Sequence, residues 1–239
     1  MAVGAAAVGD LSAVDDAAGL FWYLGDTSRG TTLVALNMST GDVACSTVVS
    51  GIEEVTLVGL GQSLDFDPTT STLVLSGVAS ADPSQHVVYR ADAGGCEAAA
   101  AFELLGTFGL AAYLPLLHAS ALDPEGQRLF VQLSASDGSS TGIGAIPLDG
   151  GAEMDVTLVP EGTLSSMVDY FLGFTWDGAA QLLHGIVPGP AGGLELRSLE
   201  PDAAAWSSRP LLEVRVVQTA SVDAGTNTAD LLSSTTTTY

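Results

Sequence analysis

Lysine is absent from this 239-residue chain, and six arginines face 28 aspartates and glutamates, for a formal net charge of −22. A surface of that sign repels phosphate backbones and anionic headgroups, which excludes nucleic acid as a partner. It also keeps a protein soluble and tolerates salt, which favours an extracellular or high-salt setting. No apolar run reaches the roughly 18 residues needed to cross a bilayer, so membrane insertion is not expected. The N-terminal MAVGAAAVGD has no basic region and too short an apolar stretch for a signal peptide. Histidine occurs three times and cysteine twice. That is too little for a disulfide scaffold, and no metal-ligand spacing links the histidines. Convincing helical periodicity with caps is missing throughout.

What the chain has is a repeat. The stretch SALDPEGQRLFVQL (120–133) reads as a strand end, an Asp-Pro turn and a second strand. Relatives of it are LSAVDDAAGLFWYL (11–24), SLDFDPTTSTLVLSG (63–77), GFTWDGAAQLLHG (173–185) and ASVDAGTNTADLL (220–232). The turn acids are Asp15, Asp67, Asp123, Asp177 and Asp223, spaced about 46 to 56 residues apart, which calls for a repeat architecture. An Asp carboxylate accepts backbone N–H groups two residues on and closes a tight turn. Pro68 and Pro124 pre-set the next backbone angle, and Gly19, Gly126 and Gly178 are expected to supply the flexible corner.

After each acid come a strand, a polar loop, a third strand, a second turn and a less regular fourth strand. Each unit is thus an antiparallel meander of four short strands. The loops Gly25–Thr32, Val78–Gln85 and Ser134–Gly142 are expected on one rim. The Ala-rich CEAAAAFELLG (96–106) has helical propensity but occupies a strand slot, and is expected to be an outer strand or distorted edge.

The segment LVALNMSTGDV resembles blades of quinoprotein-like and YVTN-type β-propellers. Leu33, Ala35, Leu36, Thr40, Gly41 and Val43 match their pattern, with Asn37 in the Asp place. The tryptophan-docking motif of quinoprotein enzymes, the WD40 signatures and the double glycine of kelch blades are absent. The resemblance therefore implies an architecture and no particular activity. The expected fold is all-β, a propeller or partial propeller of about four to five four-stranded antiparallel blades. Blades are expected at 10–61, 62–117, 118–171 and 172–217, with the start of a fifth at 218–239. The expected alternatives are that the tail lends strands to the first blade and closes a ring, or that the chain is a fragment of something longer and leaves an open arc whose exposed blade face favours self-association.

Five residues before each acid stand Asp10, Gln62, His118, Leu172 and Gln218. These positions start the innermost strands, which converge on the mouth of a propeller's channel. Asp10, Gln62, His118 and Gln218 are the candidate ligand-binding residues there, for a small polar ligand or a cation. No catalytic or metal residue and no cofactor is assigned. Asp65 and Asp67 share a strand face but lack the six or so oxygens that calcium needs. His86 and His184 are expected to be structural. Asn37-Met38-Ser39 fits a glycosylation acceptor pattern. Consecutive Phe21, Trp22 and Tyr23 are expected to pack on both faces of a blade. Cys45 and Cys96 hold equivalent outer-strand slots in adjacent units, beyond the roughly 7 Å limit for a disulfide, so two free thiols are expected. The functional expectation is a non-enzymatic scaffold for a protein or small polar ligand. The alternative is a propeller-class hydrolase, lyase or oxidoreductase working at the channel mouth.

Overall fold

The computed structural model describes residues 6–27, 30–52, 55–56, 63–82, 85–109, 113–135, 141–149, 157–158, 173–188, 194–201, 205–212, 215–222 and 229–236. The fifth acid, Asp223, lies outside them. The first sheet contains β1 (Ala6–Asp15), β2 (Leu20–Thr27), β3 (Gly30–Asn37) and β4 (Val43–Val48). The second contains β5 (Val55–Thr56), β6 (Ser63–Asp67), β7 (Thr72–Ala79) and β8 (Gln85–Asp92). A single helical turn, α1 (Cys96–Ala99), precedes its last strand, β9 (Glu103–Gly109). The third is β10 (Tyr113–Asp123), β11 (Arg128–Ala135), β12 (Thr141–Pro147) and β13 (Thr157–Leu158). The fourth is β14 (Gly173–Asp177), β15 (Leu182–Pro188), β16 (Leu194–Glu200) and β17 (Ala205–Leu212). Among the described residues β18 (Arg215–Val222) and β19 (Ala229–Thr236) pair only with each other, so the tail adds no strand to the first sheet.

Every described corner is built alike. Asp15 Oδ1 accepts the Ala18 amide at 2.9 Å, and Asp123 Oδ1 accepts Gly126 at 2.9 Å. Asp177 Oδ1 accepts Ala179 and Ala180, both at 3.0 Å. Asp67 Oδ1 accepts Thr69 N–H at 2.8 Å and its hydroxyl at 2.6 Å. The corner then closes through a left-handed residue: Gly19 (φ 66°), Ser71 (φ 53°), Gln127 (φ 47°) and Gln181 (φ 54°). This corrects the expected glycine role in two copies. Gly126 and Gly178 sit one and three residues earlier than the strained position, which falls on glutamine both times. The glutamines compensate with their own amides: Gln127 Nε2 donates to Pro124 O and Gln181 Nε2 to Gly178 O, each at 2.7 Å. Gly126 is required for space instead, because a Cβ there would run into the Asp123 carboxylate.

The left-handed residue also anchors the third strand. The carbonyls of Gly19, Ser71 and Gln127 accept the N–H groups of Met38, Ala93 and Leu148, at 2.9, 2.9 and 2.7 Å. In the fourth sheet the residue opposite Gln181 is Pro201, which has no N–H to give.

Apolar residues alternate onto both faces, and the sheets pack face to face. Trp22, Leu24, Leu33 and Ala35 of the first sheet meet Leu73, Leu75, Val87 and Tyr89 of the second. Val74, Val88 and Phe108 meet Leu129, Val131, Leu133 and Ile146 of the third. Phe130 and Ile143 meet Leu183, Val187 and Leu199 of the fourth. Trp22 is buried while Phe21 and Tyr23 are half-buried, with ring centroids 6.3 Å apart. Consecutive aromatics thus serve two faces of one strand.

Cys45 and Cys96 form a disulfide with Cα atoms 5.5 Å apart, which overturns the expectation of free thiols. Equivalent offsets did not give equivalent places. Cys45 lies in β4, whereas Cys96 opens α1, the turn that replaces the first part of the expected outer strand. This turn is drawn against the neighbouring sheet. Ser50 N–H donates to Ala100 O at 2.8 Å and Phe102 N–H to Ser50 O at 3.1 Å. Gly51 (φ 83°) lets the chains meet, since a Cβ there would collide with the Phe102 carbonyl oxygen. Buried Ala99 and Phe102 fill the space beneath. The long loops also proved shorter than expected: most of Gly25–Thr32 belongs to β2 and β3, and Val78, Ala79 and Gln85 belong to β7 and β8.

The disulfide joins residues 51 apart in sequence. Closing a loop of that length stabilises the fold by about 2–4 kcal/mol. Cys45→Ala/Cys96→Ala is expected to lose that amount in chemical denaturation. Thiol labelling of the denatured, unreduced wild type is expected to count none, and two reactive thiols would contradict the bridge.

Candidate functional site

Inner strands lie side by side: β6 packs against both β1 and β10, and β10 against β14. Specific polar contacts tie the second unit to the third. Ser120 Oγ donates to Asp65 Oδ2 at 3.1 Å, Gln127 Nε2 to Asp67 Oδ2 at 2.9 Å, and Arg90 to the Leu148 carbonyl at 3.2 Å. Between the third and fourth, Arg128 bonds Asp123 Oδ2 at 2.8 Å and lies over the rings of Phe130 and Trp176, 5.1 and 5.7 Å from their centroids. Such a guanidinium needs both an acid and an aromatic face to be half-buried at low cost.

The end of the inner strands away from the acid corners is irregular in the same way in three units. β1 pairs Ala7 with Gly25 and then Ser12 with Tyr23, so residues 8–11 oppose Leu24 alone. β10 pairs Pro115 with Leu133 and then Ser120 with Val131, so residues 116–119 oppose Gln132 alone. In the second unit the inner strand is split into β5 and β6, which pair β7 on either side of Gly77. Bulges of this kind release backbone groups from the ladder and re-aim side chains, and they recur beside binding sites. Asp10 and His118 fall inside the two bulges. Gln218 lies in β18. The side chains of these three, and the whole of Gln62 and Leu172, lie outside the described residues.

Asp65 and Asp67 do share a face of β6, but their environments push them apart. Burial raises the Asp65 carboxyl to about 6, against hydroxyl hydrogen bonds from Ser63 and Ser120 that lower it. Burial also raises Asp67, but the hydrogen bonds from Thr69, Gln127 and Thr70 outweigh it and hold that carboxyl below its ordinary value. With both oxygens of Asp67 engaged, the pair does not offer a calcium cage, and among the described residues no group of three potential ligands converges. Asn37 is committed too: its Oδ1 accepts Ser39 N–H at 2.9 Å, Ser39 Oγ at 2.6 Å and Thr40 N–H at 3.2 Å, the role an Asp would play.

Three further polar residues stand out: His86 and His184, expected to be structural, and Gln132, which sequence reasoning passed over. His86 is buried and stacked on Phe108 with centroids 5.2 Å apart. Burial lowers it to about 4, against a hydrogen bond to Gly77 that raises it, and its Nε2 has no partner. Gln132 is 1% exposed and neither atom of its amide has a partner. His184 Nδ1 lies 2.8 Å from Ser198 Oγ and its Nε2 3.7 Å from Asp177 Oδ2. That line looks like a nucleophile relay, but Ser198 sits mid-strand between β15 and β17. Its neighbouring amides are spent in the ladder and cannot hold an oxyanion. The relay ties three strands and the corner together.

No family model matches the chain, and no curated protein resembles it in sequence. Solved structures resemble it in shape. TolB from Acinetobacter baumannii superposes with TM-score 0.55 at 10% identity, covering 85% of this chain and 43% of that one. A putative TolB from Agrobacterium tumefaciens gives 0.54 at 12% identity, covering 87% and 63%. A puromycin hydrolase gives 0.52 at 14% identity, covering 94% and 35%. These are β-propeller folds. This chain is an all-β partial propeller. It spans about two fifths of the TolB structure's length, and at such low identity the likeness concerns the fold alone. The four larger sheets are its blades.

Asp65 and His86 act oppositely on stability. A raised carboxyl stabilises fully below its unfolded value of 3.8, and that contribution is lost as pH rises through about 6. A lowered imidazole stabilises fully above 6.5, and that contribution is lost as pH falls towards about 4. Each is worth about 3 kcal/mol and the two nearly offset between pH 4 and 6. Asp65→Asn is expected to make stability climb with pH across that window, and His86→Gln to make it fall. Denaturation midpoints at pH 4, 5 and 6 test this, and parallel profiles for all three proteins would refute it.

Proposed function

We propose that this partial propeller is a non-enzymatic binding scaffold that takes a protein or a small polar ligand at the bulged mouth of its inner strands. The observation that supports it most is the recurrence of the bulge. Blades one and three free inner-strand backbone at the same level, and the polar column five residues before the corner acid enters it through Asp10 and His118. Gln62 and Gln218 extend that column by sequence position. Freed N–H and C=O groups beside Asp, His and Gln suit hydrogen-bonding ligands, and the chain's net charge of −22 favours neutral or cationic ones over anions.

The test is NMR titration with neutral polyols, primary amides and simple cations. Shifts are expected to cluster at Asp10, His118 and Gln218, and Asp10→Ala/His118→Ala is expected to weaken the strongest binder about tenfold or more. Shifts confined to the opposite, acid-corner end, or undiminished binding by the double variant, would refute the reading.

A further inference from the structure

The described corners differ in the residue that follows the acid. Pro68 follows Asp67 and Pro124 follows Asp123, so neither acid has an N–H beside it. Asp15 is buried and is followed by Asp16, whose own side chain crowds the next amide. Asp177 is followed by Gly178, which has an N–H and no side chain. It is also the corner acid open to water: its side chain is 42% exposed, where Asp15, Asp67 and Asp123 are buried. Its Oδ1 accepts two backbone N–H groups, from Ala179 and Ala180, both at 3.0 Å. Two donors on one oxygen draw electrons from Cγ and stabilise the oxyanion that forms when a nucleophile adds there. Oδ2 lies on the other side, 3.7 Å from His184 Nε2.

We propose that Asp177-Gly178 is a self-modification site, at which the folded protein converts aspartate to isoaspartate. The Gly178 nitrogen attacks Cγ of the protonated Asp177 carboxyl, and an N–Cγ bond forms. The Cγ–Oδ2 bond breaks, and that hydroxyl leaves with the amide proton as one water. The product is a five-membered cyclic imide, which a second water opens. Cleavage of the N–Cγ bond restores aspartate. Cleavage between the nitrogen and the Asp177 main-chain carbonyl carbon routes the chain through Cβ and Cγ, which is isoaspartate. Water is the only co-reactant. The corner gains a methylene and its free carboxylate moves to Cα, so Ala179 and Ala180 lose the acceptor that set the turn. Modification loosens the fourth blade's corner and leaves the other described corners intact. This inference is independent of the mouth reading above.

The test keeps the purified protein folded in neutral buffer at physiological temperature for weeks and then maps its peptides. The imide reads as the loss of one water, and isoaspartate as a site for enzymatic methyl transfer to the displaced carboxylate. Both are expected at Asp177. Gly178→Pro copies the Asp-Pro corners of blades two and three and removes the attacking N–H, so the product at Asp177 is expected to vanish. Gly178→Ala places a Cβ that would meet only Trp176 Nε1, at 3.7 Å. It is expected to fold as wild type and to slow the reaction severalfold, which keeps the test decisive if the proline variant misfolds. Isoaspartate confined to the other Asp-Gly steps, Asp137-Gly138 and Asp149-Gly150, overturns the assignment. So does product at Asp177 that forms only after unfolding, or that is undiminished in both variants.

Discussion

The corner carboxylates of the second and third blades have almost no water left around them. Asp67 and Asp123 are 0% and 1% exposed, and they survive burial because the corner donates to them from every side. Backbone amides close the turn, threonine hydroxyls and a neighbouring glutamine fill the remaining lone pairs of Asp67, and Arg128 neutralises Asp123. A buried charge is tolerated only when it is saturated in this way. The corner in turn sets the left-handed residue whose carbonyl fixes the third strand. One interaction therefore holds three strands of a blade at a common level, and Gln127 carries it across to the next blade.

Because the corners fix one end of every inner strand, irregularity is left to the other. The bulges in β1 and β10 and the split between β5 and β6 all lie at the far end, where Asp10, His118 and the unpaired Gln132 amide fall. A rigid end and an adaptable end are what a binding scaffold requires. The disulfide and the Ser50 bridge reinforce the outer edge between blades one and two.

Much of this was legible in the residues. The corner acids were visible because Asp followed by Pro or a small residue between two apolar runs has a single local meaning. The blade meander followed from the alternation after each of them. Other features were not legible, for identifiable reasons. Glycines at 126 and 178 suggested the wrong left-handed position, since nothing in a sequence reveals that glutamine carries the strain by bonding its own amide back to the turn. The disulfide was hidden because equal offsets assume equal paths, and α1 departs from its strand slot. Gln132 and His86 read as ordinary members of alternating strands, and only packing shows that their polar atoms are stranded in the interior.

The most direct measurement is the stability of Asp15→Ala, Asp67→Ala, Asp123→Ala and Asp177→Ala, each compared with wild type by chemical denaturation. If saturated corner acids hold the blades, Asp67 and Asp123 are the costliest to remove, by about 2–4 kcal/mol each, and half-exposed Asp177 the least costly. Four variants within a few tenths of a kcal/mol of wild type would contradict it.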